Sequence, residues 1–227
     1  MKKKHYLFFI SIFIALIIVE IYLKIYKFPM SGAWRVQDND GMYLNKSSGQ
    51  SKHQYFRGNE FINVKYKFYK YYNRSYQNFS SKNKDRILIL GDSFTFGWLL
   101  RDEDTFVYKL QNDFPDKYFI NSAAGGWGFD DYARFLDNYC KEIKPKKVLI
   151  FISNVSNDLA DSVYSNLYNL EKNSLVEGKN DINKFKRFLN RTSLYQFILE
   201  NISVLQLIRS FYVTYYHYFF ELKVDKK

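Results

Sequence analysis

Cysteine is almost absent from this chain, since Cys140 is the only one among 227 residues. An intrachain disulfide is therefore excluded in any compartment. Cys140 lies in an amphipathic helical pattern, which indicates a small buried residue rather than a reactive thiol. Long blocks of like charge are also absent, although the formal net charge is +11. That distribution argues against a nucleic-acid-binding tail and favours a general attraction to anionic surfaces such as lipid head groups or acidic glycans.

Apolar residues, by contrast, are plentiful. Hydrophobic residues make up 47% of the chain and aromatic residues make up 20%. This composition excludes a disordered chain, because enough apolar surface is available to form a core. A chain of this length has room for one globular domain and an additional segment.

The N-terminal residues 1–28 have the composition of a membrane anchor. Three lysines, Lys2 to Lys4, precede an apolar run from Tyr6 to Leu23 that only Glu20 interrupts. A bilayer core needs about 20 apolar residues, with about 17 as the lower limit. Residues 6–23 are therefore long enough to span the membrane and to contact lipid along their length. The N-terminal lysines predict a cytoplasmic N-terminus, which places the rest of the chain on the extracytoplasmic side.

A cleaved signal peptide is the competing interpretation of this segment. Ser31 and Ala33 have the spacing of a cleavage site. They lie well beyond the apolar run, however, with two lysines and a proline in between. We therefore expect a single-pass anchor that is not cleaved, with the main domain in the periplasm or at the cell surface.

Residues 29–84 form a polar, aromatic-rich connector. Within it, the stretch NVKYKF (Asn63–Phe68) alternates apolar and basic residues, which predicts an edge strand. Interleaved aromatic and basic residues also occur in nucleic-acid-binding proteins. An exported position would deny the chain such a partner, so we expect no nucleic acid and attribute the lysines to protection of a strand edge.

The pattern changes from Asp85 onward, where strands and helices alternate. Strands are predicted at Arg86–Leu90, Tyr118–Ser122 and Lys146–Ser153, and helices at about residues 104–114 and at Phe129–Ile143. This alternation is typical of a parallel α/β sheet with helices on both faces. Residues 85–227 are therefore expected to form one domain, with the segments that follow each strand at the same edge of the sheet.

After Asp161 the alternation stops. A helix is predicted at Asp181–Leu189, and a strongly apolar helical stretch runs from Ser193 to Leu222. Glu200, Asn201 and Arg209 interrupt that second stretch, so a packed amphipathic helix is favoured over a second membrane span.

Three short motifs follow the three predicted strands. GDSF (Gly91–Phe94) places a hydroxyl at a strand-to-helix turn, although a helix cap would explain it equally well. NSAAGGWGFDD (Asn121–Asp131) lets backbone N–H groups approach a ligand closely, whereas an ordinary tight turn would also need glycine. SNVSNDLAD (Ser153–Asp161) offers a side-chain amide, with helix capping as its alternative. Alone, the first motif fits both explanations equally, and the second and third favour the structural one.

Taken together in this order, the motifs resemble the SGNH (GDSL-type) hydrolase and acyltransferase family over about residues 87–161. The resemblance implies a three-layer α/β/α flavodoxin-like fold. It also implies Ser93 as the nucleophile, with oxyanion donors from the Ser93 N–H, Gly126 and the Asn157 side chain. The membrane-anchored members that act on acyl groups of cell-surface polysaccharides are the most similar. An acylated glycan would then be the substrate, and no metal or cofactor is implied.

The chain departs from that family in two places. Val155 stands where the third family motif has glycine, and no Asp-x-x-His motif follows Asp161. Only three histidines exist, and neither His53 nor His217 lies in a setting typical of a general base. The chain therefore resembles a member truncated before its last motif, and little activity is expected from it alone, because a serine without a base is a poor nucleophile.

Two further hypotheses remain open from the sequence. The chain could be a base-lacking relative that binds a glycan or a partner in the same cleft without turnover. It could also be an anchored basic protein that recruits anionic partners, which predicts a steep salt dependence. The acyl group, its acceptor and the oligomeric state do not follow from the sequence.

Overall fold

A computed structural model describes residues 2–38, 41–78, 84–155, 158, 168–171, 174–177, 188 and 192–212. By their packing, these residues fall into two compact units. The first contains the described residues up to Gly32, His53–Asn63 and those from Ser193 onward, and the second contains Ala33–Lys52 and those from Val64 to Thr192. Much of the segment expected to be a connector, Ala33–Lys52 and the residues from Val64, is in the same unit as the sheet.

The first unit begins with α1 (Lys2–Ile25). Its residues His5–Ile25 are the only helix in the described part of the chain that is long and apolar enough to cross a membrane. These 21 residues extend about 32 Å at 1.5 Å per residue, which matches the thickness of a bilayer core. Two further helical segments, α5 (Ser193–Asn201) and residues 203–212, belong to this unit. The helix predicted from Ser193 is thus confirmed up to 212, with an interruption at Ile202.

The second unit contains a three-stranded parallel sheet, in which β6 (Asp85–Gly91) lies between β7 (Lys117–Asn121) and β8 (Lys147–Phe151). The three predicted strands are therefore confirmed to within about two residues at their ends. The side chains of Leu88, Ile89 and Leu90 are fully buried. A central strand buried on both faces explains why this run reads as continuous apolar sequence rather than as alternation.

Helices cover both faces of β6. α4 (Phe129–Ile143) has the predicted bounds and packs its buried residues, including Phe135, against the Leu88 and Leu90 face. α3 (Phe106–Asp113) packs on the opposite face through Val107, against Ile89. The unit is therefore a mixed α/β structure with a parallel sheet, as predicted.

The edge strand β8 is much less covered than β6. Leu149, Ile150 and Phe151 are 38%, 44% and 39% exposed. Its continuous apolar sequence is typical of a strand buried between neighbours. Among the described residues, only β6 pairs with it in this sheet.

Antiparallel strands precede the parallel sheet. They are β1 (Arg35–Gln37) with β2 (Tyr43–Asn45), and β3 (Gly49–Arg57), β4 (Glu60–Tyr69) and β5 (Asn73–Arg74) in that order. β4 contains the predicted strand NVKYKF. The prediction of an edge position was wrong, because β3 and β5 lie on its two sides.

Two predictions about the C-terminal third have different outcomes. The helix predicted at Asp181–Leu189 lies outside the described residues except for Phe188, which is helical. A hairpin of β9 (Tyr168–Glu171) and β10 (Ser174–Glu177) was not predicted. Its strands have four residues each, too few for a period of two to stand out in the sequence.

Candidate functional site

Ser93 lies where the central strand ends and a short helix begins. β6 ends at Gly91, Asp92 caps α2 (Ser93–Phe96), and the Asp92 carboxylate accepts a hydrogen bond from the Phe94 N–H at 2.9 Å. Ser93 itself is half-buried. The helix-cap interpretation of this motif is therefore correct for Asp92, which leaves the adjacent serine hydroxyl at the sheet edge.

The second motif lies directly against the first. A Cβ placed on Gly125 would be 3.7 Å from the Ser93 Cβ, so the space between the loop and the candidate nucleophile is about that of one methyl group. The Asn121 side chain donates to the Thr95 carbonyl at 3.3 Å, and the Ala124 N–H donates to the Gly91 carbonyl at 3.2 Å. These bonds hold the glycine loop and the serine turn together.

Gly126 has a φ of +76°, a left-handed conformation that glycine adopts without strain. The Arg35 guanidinium donates to the preceding carbonyl, that of Gly125, at 3.0 Å. Because the C=O and the N–H of a trans peptide point in opposite directions, the Gly126 N–H points away from Arg35. Among the described residues, neither the Gly126 N–H nor the Ser93 N–H has a hydrogen-bond acceptor.

The third motif contacts the first through its initial residue. The Ser153 hydroxyl donates to the Asp92 carboxylate at 2.5 Å, so the loop after β8 begins beside the serine turn. Asp158 is fully buried and accepts a hydrogen bond from the Tyr132 hydroxyl at 3.1 Å. Burial and the Asp158 carboxylate raise the pKa of Tyr132, which keeps this phenol neutral and able to donate. Asn157, the predicted amide donor, lies outside the described residues.

A buried ion pair stabilises the chain that follows the serine turn. Arg74 donates to Asp102 at 2.9 Å, and both side chains are almost fully buried. The same guanidinium donates to the carbonyls of Phe96, Gly97 and Leu100 at 2.7, 2.6 and 2.5 Å. One side chain thus caps the C-terminal end of α2 and fixes the turn that follows it.

Sequence reasoning did not identify the contribution of the connector to this site. Besides Arg35 and Arg74, the buried Asn45 side chain donates to the carbonyls of Ala123 and Tyr72, at 2.9 and 3.1 Å. No motif or spacing marks these residues, because each acts on a carbonyl at least 20 positions away in the chain. Part of the predicted connector is therefore a scaffold for the glycine loop.

Replacing Asn45 by alanine should lower the free energy of unfolding by about 1–3 kcal/mol, because two carbonyls lose their buried donor. Urea denaturation of the full chain in detergent measures this. The control is Gln37→Ala, which removes a 3.3 Å bond to Gly41 in a half-buried turn and should cost less. Equal stability of the two variants would contradict the scaffold role.

Histidine is absent from the segments that form the second unit, since residues 33–52 and 64–192 contain none. His5 and His53 belong to the first unit, and His217 lies outside the described residues. Burial lowers the pKa of His53, which favours its neutral form. Within the described residues, no group of three or more His, Cys, Asp or Glu side chains could hold a metal ion.

Comparison of the chain with protein-family models, with curated proteins and with solved structures gave no match. The resemblance to SGNH hydrolases therefore rests on the three motifs.

Proposed function

We propose that this chain is a membrane-anchored serine esterase or O-acyltransferase of the SGNH type, in which Ser93 attacks an acyl ester of a cell-envelope polysaccharide. The observation that carries the proposal is the hydrogen bonding of the serine turn to the glycine loop, which brings to one edge of the sheet two N–H groups that have no acceptor among the described residues. That edge is where parallel α/β sheets bind their ligands.

The reaction would begin with attack of the Ser93 hydroxyl oxygen on the ester carbonyl carbon. The hydroxyl proton passes to a base, and the negative charge moves to the carbonyl oxygen. The N–H groups of Ser93 and Gly126, with the Asn157 side chain, would bind that oxyanion. One such donor contributes about 10²–10³ in rate. Collapse of the intermediate breaks the bond to the alcohol, which leaves with a proton, and water or a glycan hydroxyl then removes the acyl group from Ser93.

The second unit contains no histidine that could act as this base. A serine site without its base keeps only about 10³–10⁴-fold catalysis over water, from the oxyanion donors and binding. We therefore expect slow turnover by this chain alone, and full activity once a segment carrying a histidine and its orienting carboxylate completes the sheet. The apolar strand β8 supports this, since among the described residues only β6 pairs with it and its other edge could take a further strand.

Two features support a surface glycan as substrate. Phe94 and Trp98, which follow Ser93 by one and five positions, are 75% and 48% exposed, and exposed aromatic side chains near a nucleophile are suited to contact a sugar ring or an acyl chain. The candidate span α1 would hold the sheet unit close to the envelope, with Lys2 to Lys4 keeping the N-terminus in the cytoplasm.

Replacing Ser93 by alanine should abolish both reaction with a fluorophosphonate probe and hydrolysis of p-nitrophenyl acetate. The full chain in detergent is compared with Ser48→Ala, which removes another serine hydroxyl at an exposed position outside the site. Labelled peptides located by mass spectrometry should contain Ser93. Undiminished labelling of Ser93→Ala would refute the assignment of the nucleophile.

A second candidate function is a non-catalytic glycan-binding protein, and the absence of histidine from the second unit favours it. In that case the wild-type chain shows no turnover, and Ser93→Ala binds an acetylated polysaccharide as tightly as the wild type does. Calorimetric titration of both proteins with the same polysaccharide separates the two functions.

A further inference from the structure

The helix at residues 203–212 is amphipathic in the reverse sense to a helix of a water-soluble domain. Its buried residues are polar, with Ser203 and Gln206 only 1% and 5% exposed. Its exposed residues are mostly large and apolar, with Ile208 56% and Phe211 67% exposed, although Arg209 and Ser210 are exposed as well. In water the apolar face turns inward, so this arrangement indicates that the outer surface of the helix does not face water.

The buried polar groups have partners inside the first unit. The Gln206 amide donates to the carbonyl of Ser31 at 3.0 Å and also to that of Leu199. The Ser203 hydroxyl lies 3.5 Å from the Met30 sulfur. A helix in contact with lipid needs its polar groups hydrogen-bonded within the protein and its apolar side chains on the outside.

Glu20 joins this helix to the candidate membrane span. Its carboxylate accepts hydrogen bonds from the N–H groups of Ser203 and Val204, at 3.0 and 2.9 Å, and pairs with Lys24 at 3.1 Å. Glu20 lies five residues before the end of α1, which corresponds to about 7.5 Å along the helix axis. The helix at residues 203–212 therefore begins beside the apolar part of α1 and not beyond its end.

Exposed apolar side chains also occur on α1 and α5. On α1, the side chains next to Glu20 include Ile18 and Ile21, which are exposed. On α5, Leu194 and Phe197 are 68% and 63% exposed, while Leu199 is buried. Large apolar side chains exposed on all of these helices are typical of an interaction site rather than of a surface in water.

We propose that α5 and residues 203–212 are seated in the membrane leaflet reached by the C-terminal end of α1, with Ile208 and Phe211 among the lipid acyl chains. The partner is the lipid surface, and the inference rests on α1 being the anchor of the proposed function. Lipid is favoured over a second copy of the chain because Glu20 joins this helix directly to α1, the candidate membrane span. Arg209 directly follows Ile208 and is exposed. Its long side chain could reach anionic head groups.

Fluorescence quenching by lipids tests this in the full chain. Cys140→Ser removes the only native thiol, and single cysteines at Ile208 and Phe211 then carry an environment-sensitive fluorophore. The chain is reconstituted in vesicles of phosphatidylcholine and phosphatidylglycerol, with or without doxyl-labelled lipid. Phe13→Cys, on α1, is the positive control, and Phe114→Cys, an exposed apolar position in the second unit, is the negative control.

Quenching of about twofold is expected at Ile208 and Phe211, as at Phe13, because interfacial helices bury their apolar face about 5–10 Å into the membrane. Phe114 should remain unquenched. If Phe13 is quenched and Ile208 and Phe211 are not, the inference is wrong while the anchor stands. Self-quenching between labelled copies without lipid quenching would assign the surface to a second copy instead. No quenching at Phe13 would overturn the anchor and this inference together.

A measurement on the unsubstituted chain guards against a fluorophore that disturbs folding. Wild-type protein is irradiated in vesicles that contain a photoactivatable phospholipid, and the lipid adducts are located by peptide mass spectrometry. Adducts within residues 193–212 are expected in addition to those on α1. Adducts confined to α1 would overturn the inference.

Discussion

Replacing Arg74 by methionine is expected to lower the free energy of unfolding by about 3–5 kcal/mol, because it leaves the buried Asp102 carboxylate without its charged partner. Burial lowers the pKa of Arg74 and raises the pKa of Asp102, and the ion pair between them opposes both shifts. Each charge is therefore maintained by the other. Urea denaturation of the full chain in detergent measures the loss.

The arginine also provides donors that methionine lacks. The carbonyls of Phe96, Gly97 and Leu100 lose the side chain that they share. Its guanidinium stacks on the rings of Tyr66 and Phe96, at 4.3 and 4.5 Å from their centroids, so packing is lost as well. Since this turn follows the serine helix directly, any ester hydrolysis should fall together with stability.

Two companion variants separate charge from hydrogen bonding at this pair. Arg74→Lys keeps the positive charge but cannot supply the planar set of donors, so its loss should be intermediate. Arg74→Met combined with Asp102→Leu removes both charges and should be less destabilised than the sum of the two single variants. Strict additivity would mean that the ion pair does not couple the two residues.

Replacing Gly91 by alanine is expected to cost about 3 kcal/mol, at the upper end of the range for overpacking. The added Cβ would lie 2.2 Å from the Thr95 hydroxyl oxygen, 2.5 Å from the Thr95 Cβ and 2.9 Å from the Phe151 carbonyl oxygen. Thr95 is held on α2 and Phe151 on β8, so neither can move without shifting the serine turn. Thermal unfolding and ester hydrolysis should both show the change.

Gly125→Ala is the matched control for that variant. Its Cβ would make an ordinary contact of 3.7 Å with Ser93, and its backbone does not require a left-handed conformation. Stability should therefore change little. Combining Gly91→Ala with Thr95→Gly should recover part of the lost stability, because the two closest contacts disappear. If Gly91→Ala is as stable as Gly125→Ala, the side chain of Thr95 does not restrict the space at Gly91.

Local pattern was sufficient to predict the elements that surround the candidate site. The buried run at residues 87–90 and the helix at Phe129–Ile143 were found because apolar periodicity depends only on neighbouring positions. The order of the three motifs then placed them at one sheet edge, since parallel strands end on the same side. The hydrogen bonds of Ala124 with Gly91 and of Ser153 with Asp92 agree with that placement.

Long-range contacts could not be predicted in this way. Arg35, Asn45 and Arg74 look like ordinary residues of a polar connector, and each finds its partner 22 to 90 positions away. The edge position predicted for β4 was wrong for a related reason, because β5 is a two-residue strand with no periodicity to reveal it.

The sequence by itself determined that the chain has a segment fit to span a membrane, an α/β unit with a parallel sheet, and a serine where a buried strand ends. These follow from composition, periodicity and the alternation of strands with helices, which are properties of neighbouring positions. Only the tertiary structure decided that Arg74 fixes the serine turn and that Ser203 and Gln206 face inward on an apolar helix. The direction in which a helix face points depends on what packs against it, and that is set by residues distant in the chain.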